Sequence, residues 1–143
     1  MTDARVPSPA PDVIAEAKPY WDGAADGRLV LPKCSGCDEV IWHPRTWCPS
    51  CGRAGVTWIE ASGRGTVYSH TTVRRGGPPA YADAMPYVVA YVELDEGPRV
   101  LTNIHTDDPD GVRIGQVVEA VFDPVEGTAL TRFRVLEGQD HDG

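Results

Sequence analysis

Four cysteines set the terms for this chain. They stand as Cys34-Ser35-Gly36-Cys37 and Cys48-Pro49-Ser50-Cys51, ten residues apart, and there are no others. Two thiolates separated by two residues can grip one ion from a tight turn, and two such turns supply the four-sulfur tetrahedron that zinc favours. Gly36 and Gly52 offer permissive backbone for the turns, and Pro49 stiffens the second. Two disulfides would suit a secreted chain, which this does not resemble. A redox dithiol would use one pair and leave the other unexplained. Iron could take the same sulfurs, but zinc suits a ribbon with so short a central loop. One structural zinc held by Cys34, Cys37, Cys48 and Cys51 is therefore expected, with no open position for catalytic water. His43, between the pairs, would be a superfluous fifth ligand and reads as a surface or packing residue.

A ribbon of some 30 residues cannot bury a core of its own, so the ion replaces it. The chain has 143 residues, enough for the ribbon and one further small domain. Its net charge of -8 argues against a general nucleic-acid binder, which carries a basic footprint. The first residues lack an apolar signal core, and no apolar run approaches the ~20 residues of a membrane span. Reduced cysteines without an export signal point to the cytoplasm.

Residues 1–11 carry Pro7, Pro9 and Pro11 and are expected to be a disordered arm. Residues 12–28 read as a helical docking segment with Asp12 as N-cap. Val13, Ala17 and Tyr20 recur at helical spacing, as do Ile14, Ala17 and Trp21. Pro19 predicts two short helices or one kinked helix, ending at Gly23 or Gly27. Tyr20 and Trp21 would pack on the chain's own ribbon or dock on another subunit. Residues 29–61 form the ribbon, with strands expected at Leu29 to Lys33, Val40 to Trp42 and Val56 to Glu60. After the Ser62-Gly63-Arg64-Gly65 boundary come five strand-like runs without helices between them. They predict a five-stranded OB-type barrel over 62–137, and residues 138–143 an unstructured acidic tail. The fold class is mainly β.

Tyr20-Trp21 on a short helix, the two cysteine hooks, and Gly63 to Ser69 resemble one family in this order. So do Tyr87 to Gly97 and Gly115. The resemblance is to the DUF35 proteins and covers residues 12–136. It implies an N-terminal helix, a rubredoxin-like zinc ribbon and an OB-fold associated with acyl-CoA. It further implies a non-catalytic companion of a thiolase-like enzyme, in a heterotetramer or larger assembly. One branch cleaves steroid side-chain CoA esters by retro-aldol chemistry in actinobacteria. Another bridges a thiolase and a hydroxymethylglutaryl-CoA synthase. The glycine, proline, arginine and aspartate content fits a GC-rich genome and favours the first branch. Beginning at its own Met1, the chain reads as a free subunit or as a piece cut from a longer one.

A complete active site is not evident. His70 and His105 could serve as bases, with Glu93, Asp95 or Asp107 to orient them, but no spacing joins them. Coenzyme A would need cations and apolar surface. The candidates are Arg74 and Arg75 with Tyr81 on the adjoining loop from Gly76 to Met85, together with Arg99, Arg132 and Arg134 on strands. The loop is expected to face the thiolase and the acyl chain. Arg132 and Arg134 read equally well as solvated edge charges. Two other functions remain open: a stand-alone acyl-CoA carrier, and a nucleic-acid module, since ribbons and OB barrels both serve that end.

Overall fold

A computed structural model describes residues 6–140, with side chains through Leu136. A 3-10 turn at Ala15–Ala17 leads into helix α1, Lys18–Ala25. Pro19 lies in the first turn of α1, where its missing N–H has no partner to lose, so it starts the helix rather than kinking it. Asp12 does not cap: the residue before the 3-10 turn is Ile14, and no side chain bonds that end. Gly27, at φ +73°, turns the chain back after α1.

The ribbon sheet has two strands, β1 (Val30–Cys34) and β2 (Val56–Glu60), paired antiparallel from Val30↔Glu60 to Cys34↔Val56. The third strand expected at Val40 to Trp42 is reduced to one bridge, Lys33↔Val40. Ile41 turns into a small core with Cys34 and Cys48. Trp42 turns the other way, its ring 5.4 Å from that of Tyr20.

Behind the ribbon, β3 (Arg64–Val73), β4 (Tyr87–Leu94), β5 (Arg99–His105), β6 (Gln116–Val125) and β7 (Thr128–Asp140) close a barrel. The order around it is β3-β4-β5-β7-β6, with β6 returning to β3. Only β5 and β7 run parallel, at Ile104↔Phe133 and His105↔Arg134. This is the Greek-key order of an OB barrel. Alternate residues point inward, so Val67, Val88, Val92, Val118 and Phe133 are fully buried. Each such side chain contributes about 1.5–3 kcal/mol by leaving water. At Gly65 β3 and β4 leave no room for a side chain: a Cβ there would lie 2.4 Å from the Glu93 carbonyl oxygen.

Tyr20, Leu29 and Leu31 belong to the same buried cluster as the barrel residues. The helix and the root of the ribbon are therefore packed onto the barrel. The arm expected to be disordered behaves differently from residue 6 onward. Val6 is buried against Ala84 and Tyr87, and residues 6–8 are bonded to Arg132. The rest of that arm, residues 1–5, lies outside the described residues. At the other end β7 continues to Asp140, whose backbone pairs with Gln116, so residues 138–140 are strand where an unstructured tail was expected; residues 141–143 lie outside the described residues. Among the described residues, no helix is long and apolar enough to cross a membrane.

Candidate functional site

The metal centre is built by two matching turns. In the first, the Asp38 N–H donates to the Cys34 carbonyl at 3.0 Å. In the second, the Gly52 N–H donates to the Cys48 carbonyl at 2.9 Å. The residue after each turn is left-handed: Asp38 at φ 66° and Gly52 at φ 77°. Gly52 is used as the sequence suggests, whereas in the first turn an aspartate takes that position and Gly36 does not. The first cysteine of each pair is buried and the second exposed.

All four sulfurs lie within 4.8 Å of one another. Cys34 Sγ is 3.6 Å from Cys51 Sγ, and Cys37 Sγ is 3.6 Å from Cys48 Sγ. A tetrahedron with Zn–S bonds of ~2.3 Å has edges of about 3.8 Å. The residues therefore fit one zinc ion, and His43 is not among the clustered ligands. The Gly36 and Cys37 N–H groups donate to Cys34 Sγ at 3.3 and 3.4 Å. The amides of Cys37 and Gly36 lower the Cys34 thiol to about 7. The Glu39 amide acts in the same direction on Cys37, but contacts with Cys48, Cys34 and Cys51 push that thiol up to about 12. A cation relieves this conflict by replacing the protons. Four sulfur ligands leave it no open position, so zinc here cross-links the ribbon.

Two clefts flank Trp42. One, of about 490 Å³, lies between the ribbon and the β4–β5 turn and is lined by Asp38, Glu39, Glu96 and Arg99. The other, of about 400 Å³, lies between α1, the ribbon and the barrel, with Ile14, Trp21, Trp42 and Leu101 in its wall. Tyr20 contributes only its flank to this groove. Its ring is buried, 4.9 Å from that of Trp21, and its hydroxyl donates to Thr131 Oγ1 at 3.0 Å. Burial raises its pKa, against the lesser effect of that bond, and keeps the phenol neutral. Of the two expected docking residues, Tyr20 is thus committed to the chain's own core, and Trp21 stays half-buried at the groove.

The expected cations do not converge. Arg74 and Arg75 are exposed just beyond β3, and Arg74 pairs with Asp110. Tyr81 packs beside Tyr87, ring centroids 5.3 Å apart. Arg99 sits at the other end of β4, opposite Glu93, with its guanidinium 3.8 Å from the centre of the Tyr68 ring. At ~3.4 Å per residue, Tyr87 and Glu93 are about 20 Å apart, so these arginines form two separate places. Arg134 is exposed and pairs with Glu119.

Arg132 is not a solvated edge charge, being only 4% exposed. Its guanidinium donates to Asp123 Oδ2 at 2.7 Å, to the Pro7 carbonyl at 2.6 Å and to Ser8 Oγ at 3.1 Å. His105 Nε2 meets the same Asp123 oxygen at 2.8 Å. The carboxylate that meets His105 is Asp123, which sequence reasoning did not single out. The alternation of β7 gave no hint of this, because the arm that covers Arg132 is distant in sequence. His70 stands apart, its Nδ1 buried without a hydrogen-bond partner among the described residues.

Comparison with known proteins agrees with this architecture. Residues 21–57 match the family model described as the ChsH2 rubredoxin-like zinc ribbon domain, and residues 58–123 the ChsH2 C-terminal OB-fold domain. A DUF35 domain-containing scaffold protein of Methanothermobacter thermautotrophicus is 40% identical over 95 residues, covering 66% of this chain and 71% of that one. The 3-oxo-4,17-pregnadiene-20-carboxyl-CoA hydratase alpha subunit of Mycobacterium tuberculosis is 32% identical over 106 residues, covering 72% of this chain and 32% of that one. The chain spans about a third of the length of the hydratase alpha subunits it matches, 34% and 32%. Among solved structures, a chain of the Ltp2-ChsH2(DUF35) aldolase superposes with a TM-score of 0.77 at 34% identity, covering 88% of this chain and 98% of that one. With its zinc ribbon, its OB barrel and these relatives, the chain belongs to the DUF35 family.

Proposed function

We propose that this chain is the accessory subunit of a thiolase-like aldolase that acts on an acyl-CoA, with a steroid side-chain CoA ester as the substrate class. The observation that carries most weight is the match to 98% of a chain in the Ltp2-ChsH2(DUF35) aldolase. The steroid is favoured by the name of the mycobacterial relative, a pregnadiene-carboxyl-CoA hydratase subunit. The closed four-sulfur centre and the scattered histidines argue for a non-catalytic role.

Retro-aldol cleavage starts from a β-hydroxyacyl-CoA. A base takes the hydroxyl proton, the bond between the α and β carbons breaks, and its electron pair moves onto the thioester as an enolate. A ketone leaves, and protonation at the α carbon gives a shorter acyl-CoA. No oxidant or reductant is needed. The thiolase-like partner supplies the base and the enolate's hydrogen bonds. This chain holds the CoA portion and completes the pocket, in a heterotetramer or larger assembly in the cytoplasm.

Within that division, Arg74, Arg75 and Tyr81 take the CoA phosphates and adenine, and Arg99 faces the partner. Arginine forks suit phosphate oxygens, and the exposed pairing of Arg74 with Asp110 is readily exchanged. Replacing Arg74 and Arg75 together by alanine should weaken acyl-CoA binding to the reconstituted complex by about tenfold or more. Unchanged affinity by calorimetry would remove those residues from the site.

A further inference from the structure

Most large apolar side chains of the barrel point inward, but one group does not. Leu101 on β5 is 56% exposed, Tyr91 on β4 46% and Tyr68 on β3 45%. They are neighbours. Tyr91 pairs directly with Leu101 across β4 and β5. Tyr68 sits at the register shift between Val67 and Ser69, and Ser69 pairs with Tyr91. Such a bulge re-aims a side chain, here towards the outer wall. Leu101 also lines the groove that holds Trp21, Trp42 and Ile14, and Ile14 is itself 56% exposed. An apolar strip thus runs from β3 across β4 and β5 into the groove beside α1.

The barrel's outer wall is broad and aromatic where it leaves the groove, which suits a protein surface better than a small ligand. Tyrosine and tryptophan are the residues that anchor interfaces. Arg99 stacks on Tyr68 within the strip, and the other exposed charges around it are mostly acidic. Asp12 borders the groove, and Asp38, Glu39 and Glu96 line the adjoining cleft. Arg99 is the one cation lining that cleft among the described residues, and Glu93 holds it at 3.2 Å. A second copy of this chain would bring acidic rim against acidic rim, which opposes a symmetric dimer.

We propose that the strip Tyr68–Tyr91–Leu101, continued by Trp21 and Ile14, is where the thiolase-like subunit docks, through an apolar surface with a basic rim. This deepens the accessory-subunit reading and depends on it. The basic rim should steer the encounter and make it salt-dependent. The small cleft at Trp42 would then lie beside the junction of the two proteins.

The test uses the full zinc-loaded chain and the purified Ltp2 chain of the solved aldolase as the probe. Tyr91→Ala, Leu101→Lys and Asp12→Lys all change exposed side chains, so zinc content and thermal midpoint should stay near those of the wild type. Tyr91→Ala and Leu101→Lys should each weaken binding by about tenfold or more. Asp12→Lys should mainly slow association and flatten its salt dependence. Wild-type binding with unchanged Tyr91→Ala and Leu101→Lys would overturn the strip and leave the accessory-subunit reading standing. No wild-type binding would overturn that reading, and the strip with it. A wild-type homodimer that Leu101→Lys dissociates would overturn the choice of occupant.

Discussion

At the scale of single residues, the zinc ligands and Arg132 make opposite uses of charge. Cys34→Ser leaves three sulfurs for an ion that needs four, so bound zinc should fall from about one per chain to nearly none. Metal analysis after gel filtration checks this, and a folded, zinc-loaded variant would contradict the structural role. Two of the clustered thiols are perturbed in opposite directions. The Cys34 pKa is lowered to about 7, so its contribution to the metal-free fold is present above the unfolded value and lost as pH falls through about 7. Cys37 is raised to about 12, so it disfavours the metal-free fold as pH rises above its ordinary value of 9.0. Zinc displaces both protons. Its affinity, read with a competing chelator, should therefore fall steeply as the solution is acidified through pH 7.

Arg132 carries its charge inside the protein and is matched there. Arg132→Ala would strand Asp123 beside His105 and release the carbonyls of residues 6 and 7. Removing one partner of a buried ion pair costs about 3 kcal/mol, to be measured by urea denaturation. A much smaller loss would mean that the network is solvated. The arm should also become open to proteolysis near Val6, which separates this change from a general loosening of the barrel.

At the scale of elements, the close contacts say which junctions matter. A Cβ on Gly23 would lie 2.5 Å from Val30 Cγ2, so α1 can rest on β1 only because that residue is glycine. Gly23→Ala should push the helix outward, cost about 1–3 kcal/mol and raise the exposure of Trp21 to a fluorescence quencher. Unchanged quenching and stability would show that the helix is loosely held.

The hooks and the barrel strands were legible in the sequence because their signals are local. Each CxxC closes on itself, and the barrel strands are apolar-rich runs bounded by turn residues, several of them alternating with period two. The missing third ribbon strand was not legible. Val40-Ile41-Trp42 has strand composition, and Ile41 and Trp42 face opposite sides as strand residues do, yet the segment is held to β1 by a single bridge. The position of Arg132 was also hidden. The residues that bury it come more than 120 positions earlier in the chain, at Val6 to Ser8. The arginines assigned to one CoA site lay at opposite ends of β4, a separation that only the strand register reveals.

At the scale of the whole molecule, zinc, helix and barrel are mechanically joined. β1 ends at the ligand Cys34, and Leu31 in its middle is buried with barrel residues. Loss of the ion should therefore reach the groove beside α1. The most direct measurement is reconstitution of cleavage from purified parts: this chain alone, the thiolase-like chain alone, and the two together, each with a β-hydroxyacyl-CoA bearing a steroid side chain. The expected result is cleavage only in the mixture, at about one zinc per DUF35 chain, with cleavage lost after chelation. Cleavage by this chain alone, or by the thiolase-like chain at full rate without it, would contradict the proposed role of a structural companion.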